Sequence, residues 1–394
     1  MPRFLPLILV PVLFGSVRSA AVAQDVRSGT GDRITLHGFI GATGFFQDAD
    51  FGLGNGTRAE FVRAELDGWR HGGDVRNTRI TLDIAGPAVS DSWRSSGTFE
   101  LDFFGGFPGG GAFGDEQPLP RLRLAYADLS SERTRVRFGQ QWALTLGEIP
   151  VSLAHIGFPL GWGSGGYIAW RFLGLSVRHQ LTDPDATTNA ALQFAVLQNS
   201  WSDEQDPEAA SAGEAGSPQL EAKLELSGSA WRAYLVGHWD RKDLGGVAPE
   251  AAGAQSDENL DSWALEAGGR LEQGALTLAA NAYTGRAMGH HFAHIVQFGD
   301  IAGWGAWAQL GLALTETWSV WGYGGIERPD EDDVRALGND ARLESWLLVP
   351  MLRWKSGPYA AGLEWLHAST RTVSGAAERD LSGNQLALSV RFDF

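Results

Sequence analysis

Apolar and polar residues alternate with a period of two along almost the whole chain. Phe99, Leu101 and Phe103 interleave with Thr98, Glu100 and Asp102. Leu220, Ala222, Leu224 and Leu226 interleave with Glu221, Lys223 and Glu225, and Arg121, Arg123, Ala125 and Ala127 stand opposite Leu122, Leu124 and Tyr126. A period of two belongs to β-strands with one apolar face. Sixteen such segments fall near 34–45, 76–86, 95–104, 121–130, 133–142, 167–180, 190–199, 219–228, 230–242, 260–272, 274–286, 303–315, 317–327, 342–355, 357–372 and 384–394.

The connections sort by length. Tight turns such as Ser131-Glu132, Gln273 and Gly357 alternate with long loops at 46–75, 105–120, 143–166, 200–218, 243–259, 287–302, 328–341 and 373–383. Short turns on one side and long loops on the other are the pattern of a transmembrane antiparallel β-barrel. A soluble sandwich or propeller has no reason to sort its loops in this way. Most segments hold about 9–14 residues, enough for a tilted strand to cross a bilayer. Trp142, Trp231, Trp239, Trp263, Trp304, Trp318, Trp346 and Trp354 recur near strand ends, and an indole suits the membrane interface. Of these readings, an all-β barrel of about sixteen strands is the expected fold. The last strand ends on Phe394 and needs a partner so that no edge is left in lipid; 34–45 is the natural one.

The first residues read as a processing segment. Arg3 precedes an apolar run from Phe4 to Gly15 that is too short to span a membrane, and Ala21-Val22-Ala23 predicts cleavage after Ala23. Residues 1–23 are thus the expected signal peptide and 24–394 a single barrel domain. Cysteine is absent, which removes disulfides and thiolate chemistry. The net charge of −16 argues against a nucleic-acid partner. Charge is uneven: residues 25–180 hold 15 basic and 17 acidic side chains, whereas 181–394 hold 14 and 30.

In a barrel of this size one face of each strand meets a wet lumen. Arginine facing lipid near the midplane would cost about 2–4 kcal/mol, so Arg133, Arg135 and Arg137 are expected to face inward. On the same reasoning Arg79, Asp83, Glu100, Asp102, Arg121 and Arg123 line the pore. Acidic and basic rows side by side would set a transverse field or simply solvate the wall. Segment 143–166 is apolar and rich in Gly and Pro, with Glu148 and His155 among its few ionisable groups. It is expected either to enter the lumen as a constriction loop or to pack on a rim or a neighbouring subunit.

Three short stretches carry a family resemblance. "GTFELDFFGG", "PRLRLAYADL" and "VRFGQQW" resemble trimeric outer-membrane porins of the DcaP-like group, through Asp102-Phe103-Phe104, Arg121, Arg123, Ala125-Tyr126, Gly139-Gln140 and Trp142. Phe394 at the end of a strand resembles the assembly signal of outer-membrane proteins. The resemblance implies a homotrimer in bacterial outer-membrane lipid and lipopolysaccharide. It also implies passive diffusion of small hydrophilic solutes, including small anions such as dicarboxylates. No cofactor is implied. An enzyme is the competing class, but G-x-S-x-G, a Walker lysine and H-E-x-x-H are all missing. His290, His291 and His294 cluster in "GHHFAH" with Asp300 as the one nearby carboxylate, which leaves no metal site expected there. A purely structural barrel is the third class.

Overall fold

The computed structural model describes residues 24–27, 33–52, 56–106, 118–183, 185–198, 217–243, 259–336, 341–375 and 377–394. The proposed signal peptide lies outside the described residues, as do most of the loops expected at 105–120, 200–218 and 243–259. The strands are β1 (Gln24–Arg27), β2 (Arg33–Phe51), β3 (Val62–Asp74), β4 (Arg79–Ala88), β5 (Arg94–Asp102), β6 (Arg121–Ser130), β7 (Thr134–Trp142), β8 (Arg171–Gln180) and β9 (Asn189–Leu197). They continue as β10 (Gln219–Ser227), β11 (Trp231–Asp243), β12 (Asn259–Gln273), β13 (Leu276–Arg286), β14 (Ala302–Ala313), β15 (Trp318–Pro329), β16 (Ala341–Ser356), β17 (Tyr359–Ser374) and β18 (Ala377–Asp393).

All pairings between the described strands are antiparallel, and the sheet closes on itself through β18 and β2, from Gln385↔Gln47 to Asp393↔Phe39. Phe394 completes the seam by exchanging two backbone hydrogen bonds of 3.0 Å with Gly38. On its other side β2 meets β4 with its first half and β3 with its second, so β3 and β4 occupy one position in the ring. The barrel therefore has sixteen positions, with β1 added as a short ribbon along the start of β2.

The outer face is what alternation requires. On β11, Trp231, Leu235 and Trp239 are exposed while Val236, His238 and Asp240 are buried. On β16, Trp346, Leu348 and Leu352 are exposed while Leu347, Val349 and Met351 are buried. Trp231 and Trp239 lie eight residues apart, which at ~3.3 Å per residue spans about 26 Å along the strand. A tilt of about 40° turns that into roughly 20 Å across the membrane, close to the apolar band of outer-membrane barrels. Trp239 sits directly across from Trp263, and Trp318 from Trp354, so the indoles form two girdles. A closed barrel with an apolar belt and charged inward residues is a transmembrane structure, because no backbone edge is left in lipid.

Three expectations need correction. Segments 46–75 and 373–383 are not long loops. Strand β2 runs on to Phe51 and β3 begins at Val62, while β17 and β18 stay paired up to Ser374↔Ala377. Glu65, Asp67, Arg70, Glu378 and Asp380 are exposed there, so these strand ends carry charge instead of an apolar row. The faces of β6 also switch. Glu100 pairs with Leu124 and Leu101 with Leu122, which leaves Arg123 as a bulge. A bulge shifts the parity, so Tyr126 turns inward beneath Arg137, whose guanidinium carbon lies 3.5 Å from the ring centre. Finally, Trp142 is not part of a girdle: Arg123 and Arg171 lie over it at 5.8 and 5.0 Å.

Two connections on the long-loop side fold into the barrel. The first is 143–170, since β8 starts only at Arg171. The second is 287–301, which is largely buried rather than a polar surface loop. Trp162 of the first stacks on Phe292 of the second at 3.6 Å between ring centres. Together with wall residues such as Trp307, Tyr323 and Leu347 they form the main apolar cluster, so the core of the molecule sits inside the ring.

Candidate functional site

Segment 143–170 is held to the inner wall by polar side chains from many strands. Glu364 on β17 accepts hydrogen bonds from the Ser152 hydroxyl at 2.8 Å, Leu153 N at 2.7 Å and Ala154 N at 2.8 Å. Gln309 on β14 binds both backbone groups of Val151, at 2.6 and 2.8 Å. Asn77 donates to the Ala154 carbonyl at 2.7 Å and accepts from Gly157 N at 2.8 Å. The Lys223 ammonium on β10 donates to the carbonyls of Leu144 and Leu146 at 3.2 and 2.9 Å. Buried backbone groups of a non-helical segment need such partners, and the wall supplies them from opposite sides of the ring. Close approach is made possible by glycine. Gly166 has φ +82°, and a Cβ there would stand 2.3 Å from Ala306 N. A Cβ on Gly161, φ +76°, would meet the Tyr323 hydroxyl.

Five of the candidate pore residues converge in one network under this segment. Asp102 accepts from Arg121 at 2.9 and 2.6 Å and from Arg123 at 2.7 Å. Glu100 accepts from Arg123 at 2.7 Å, and Arg79 stands 3.8 Å away. Arg79 also donates to the Ile156 carbonyl at 3.4 Å. Phe158 from the inserted segment and Phe104 form the roof, with Arg121 at 5.1 and 5.4 Å from their ring centres. Arg123 and Asp102 are buried, so this network is a fixed wall more than a set of free charges. Asp83 is separate: it accepts from Thr98 at 2.6 Å and pairs with His37 at 2.8 Å.

The arginines of β7 and of the turn before it lie nearer the short-turn end. Arg133 pairs with Asp183, and Arg137 with Asp128 at 2.7 and 2.8 Å. Arg135 has no carboxylate partner among the described residues and stands directly across from Arg178 on β8. Glu148 meets Arg232 on β11 and Arg270 on β12, with distances of 2.6 Å to Arg232 Nη2 and 2.9 Å to Arg270 Nε. Burial pushes the Glu148 carboxyl up, but hydrogen bonds and charge from Arg232 and Arg270 outweigh it and hold the group below the ordinary carboxylate range.

Below the inserted segment a cavity of about 480 Å³ opens, with Glu148, Arg178, Lys223, Glu225, Arg232 and Arg270 on its walls. Four of these are cationic and two acidic. An adjoining cavity of about 360 Å³ shares Arg178 and adds Glu132, Arg133 and Arg135. Sequence reading passed over Arg178, Lys223, Arg232 and Arg270, although the same alternation that marks Arg135 marks them. It also passed over Arg171, which is 6% exposed between the rings of Trp142 and Trp170. The three loop histidines do not converge on one another. His291 binds Gln219 and Thr145, His294 accepts from Met288 N at 3.2 Å, and His290 packs on Phe298. Burial lowers His290 and His294 to about 3, so both are neutral.

A closed sixteen-stranded barrel, apolar outside and charged inside, with a long segment folded into its lumen, has the fold of the bacterial outer-membrane porins. The outer-membrane channel DcaP of Acinetobacter baumannii superposes with a TM-score of 0.70 at 17% identity, over 94% of this chain and 99% of its own. The anion-selective porin of Comamonas acidovorans gives 0.60 at 13%, over 92% and 100%. OmpF of Salmonella typhi, in complex with daunomycin, gives 0.56 at 11%, over 94% and 100%. No protein family's sequence profile and no curated protein sequence matches the chain.

Proposed function

We propose that this protein is a passive porin of the outer membrane that admits small hydrophilic solutes and favours anions. Segment 143–170 would be the constriction, and the cavities beneath it the periplasmic vestibule. Its expected form is a homotrimer in lipopolysaccharide-bearing membrane, exported with residues 1–23 removed. The observation that carries the anion preference is the Arg135–Arg178 pair. Like charges directly across a strand pair cost stability; Glu225 offsets the Arg178 charge at 3.2 Å, but among the described residues no carboxylate forms an ion pair with Arg135. A visiting anion would. Low-dielectric walls around a wet cavity focus that field, and arginine rings favour anions in channels. Small dicarboxylates fit the chemistry, since two carboxylates could engage arginines of the vestibule together.

The test is ion selectivity of the refolded channel in a planar bilayer under a salt gradient. Wild type should give a reversal potential on the anion side. Arg135→Gln combined with Arg178→Gln should move it toward the cation side while conductance persists. An unchanged reversal potential would place the selecting charges elsewhere, and a folded barrel without conductance would overturn the porin reading.

A further inference from the structure

Near the long-loop end of the lumen a second polar cluster has no part in the proposed route. Glu221 on β10, His238 on β11 and His291 in segment 287–301 each place a ligand atom within 4.8 Å of the other two, and all three are buried. We propose that these residues form a binding site for a borderline divalent metal ion of the zinc kind, which pins segment 287–301 to the barrel wall.

The donor set fits such an ion. His238 Nδ1 stands 2.9 Å from Glu221 Oε1, and Gln219 Oε1 stands 3.0 Å from His291 Nε2. Zinc bound tetrahedrally by nitrogen and oxygen at about 2.0–2.2 Å separates its ligands by roughly 3.3 Å. The two contacts need to widen by only a few tenths of an ångström, while the wider separations, up to 4.8 Å, close as the side chains gather on the ion. Two imidazole nitrogens, the Glu221 carboxylate and the Gln219 carbonyl complete four ligands. The proton shared between His238 and Glu221 leaves as the ion enters.

The surroundings complete it. Metal-bound histidines donate their other N–H to an oxygen that fixes the ring. With Nδ1 on the metal, His238 carries its proton on Nε2, which faces Asp240 Oδ1 at 3.8 Å. At present His238 Nε2 and Asp240 Oδ2 are both buried without a hydrogen-bond partner among the described residues. Buried polar atoms left unpaired are costly and call for a reason. With Nε2 on the metal, His291 turns Nδ1–H to Thr145 Oγ1, 3.1 Å away. Lys242 offsets the charge of Asp240 at 2.6 Å. Glu221 is then the one carboxylate among the three clustered groups to balance the ion. Two imidazoles and a single carboxylate suit zinc better than the oxygen-seeking calcium. The consequence is mechanical. His291 also accepts from Ala169 N at 3.1 Å through its carbonyl, and Thr145 belongs to segment 143–170. One ion would therefore tie both inserted segments to β10 and β11.

Because the site is closed, the metal is best supplied during folding. The full-length mature chain, without a histidine tag, would be refolded into detergent with Co²⁺ or Zn²⁺ and passed through gel filtration. The expected result is one ion per chain, the strong visible absorption of tetrahedral Co²⁺, and a higher unfolding temperature than after refolding with a chelator. His291→Gln and Glu221→Gln should each lose the ion. Wild-type barrel holding less than about a tenth of an ion per chain, where a closed structural site should hold one, would overturn the proposal. So would full metal content in the variants. If a variant fails to fold, the wild-type Co²⁺ spectrum still decides.

Discussion

Leu235 offers a direct test of how the barrel sits in the membrane. It is outward-facing and lies four residues from each of Trp231 and Trp239. At ~3.3 Å per residue and a tilt of about 40°, that places it roughly 10 Å from either girdle, at the midplane. Arginine at the midplane of such a barrel costs about 2–4 kcal/mol, against about 0–1 kcal/mol near the interfaces. The larger figure is a roughly thirty- to several-hundred-fold loss in the folding equilibrium. Leu271 pairs with Trp231 and so marks the girdle depth, and Asn189 lies on the wall of the vestibule. Reversible denaturant unfolding in lipid vesicles should therefore rank Leu235→Arg far below wild type, with Leu271→Arg and Asn189→Arg close to it. The midpoints should shift without a change in the denaturant slope. If Leu235→Arg costs no more than Leu271→Arg, the belt is misplaced. If Asn189→Arg costs as much as Leu235→Arg, the assignment of inner and outer faces fails.

Other outcomes follow from the way segment 143–170 is held. The Glu148 carboxyl is depressed in the folded state, so its link to Arg232 and Arg270 contributes fully above the unfolded carboxylate value of about 4.3 and is lost as pH falls through the lower folded value. Single-channel conductance should stay level from neutral pH down past that range and become noisier only below it; Glu148→Gln should be noisy at every pH. Glu364→Gln removes the charge from three hydrogen bonds to the segment, each worth about 1.5–3 kcal/mol with a charged acceptor. It should give a larger, more variable conductance, and unchanged current records would show that the segment does not narrow the path. Gly166→Ala combines a left-handed φ with a Cβ 2.3 Å from Ala306 N, so the segment should lift. Chymotrypsin should then cut near Tyr167 or Trp170 faster than in wild type, and equal cutting rates would contradict the close approach.

Much of the fold was legible because lipid imposes a rule on every strand. Where the outer face meets hydrocarbon, as at Leu235, Leu310 or Leu348, the sequence must alternate, and it does. Where strands bear charge on their exposed residues the rule lapses. Glu65 and Arg70 on β3 and Glu378 on β18 read as loop although they are paired. The bulge at Arg123 was invisible for another reason. It depends on how β5 and β6 register, and no single strand carries that information. The site divides in the same way. Alternation marks Arg135, Arg178 and Arg232 as inward, but it says nothing of which inward residues meet. Arg135 faces Arg178 across 43 positions of sequence, and His238 meets His291 across 53. Those meetings are made by strand order and by two segments turning inward, which the sequence pattern does not encode.

The net charge of the chain is a poor guide to what the lumen favours. Residues 199–216 and 244–258 contain eight acidic and no basic side chains, and both join strands on the long-loop side. The helix Glu331–Ala336, with Glu331, Asp332 and Asp333 in its first turn, lies on that side as well. In physiological salt exposed charges are screened beyond about 8 Å, so acid on that helix contributes little inside a barrel whose wall alone spans roughly 20 Å. The vestibule has four cationic and two acidic residues on its wall at close range, in a cavity of about 480 Å³. A solute there meets Arg178, Arg232 and Arg270 at close range. An acidic chain is thus compatible with the anion preference proposed above. That helix and the vestibule are screened from each other, and the near field decides.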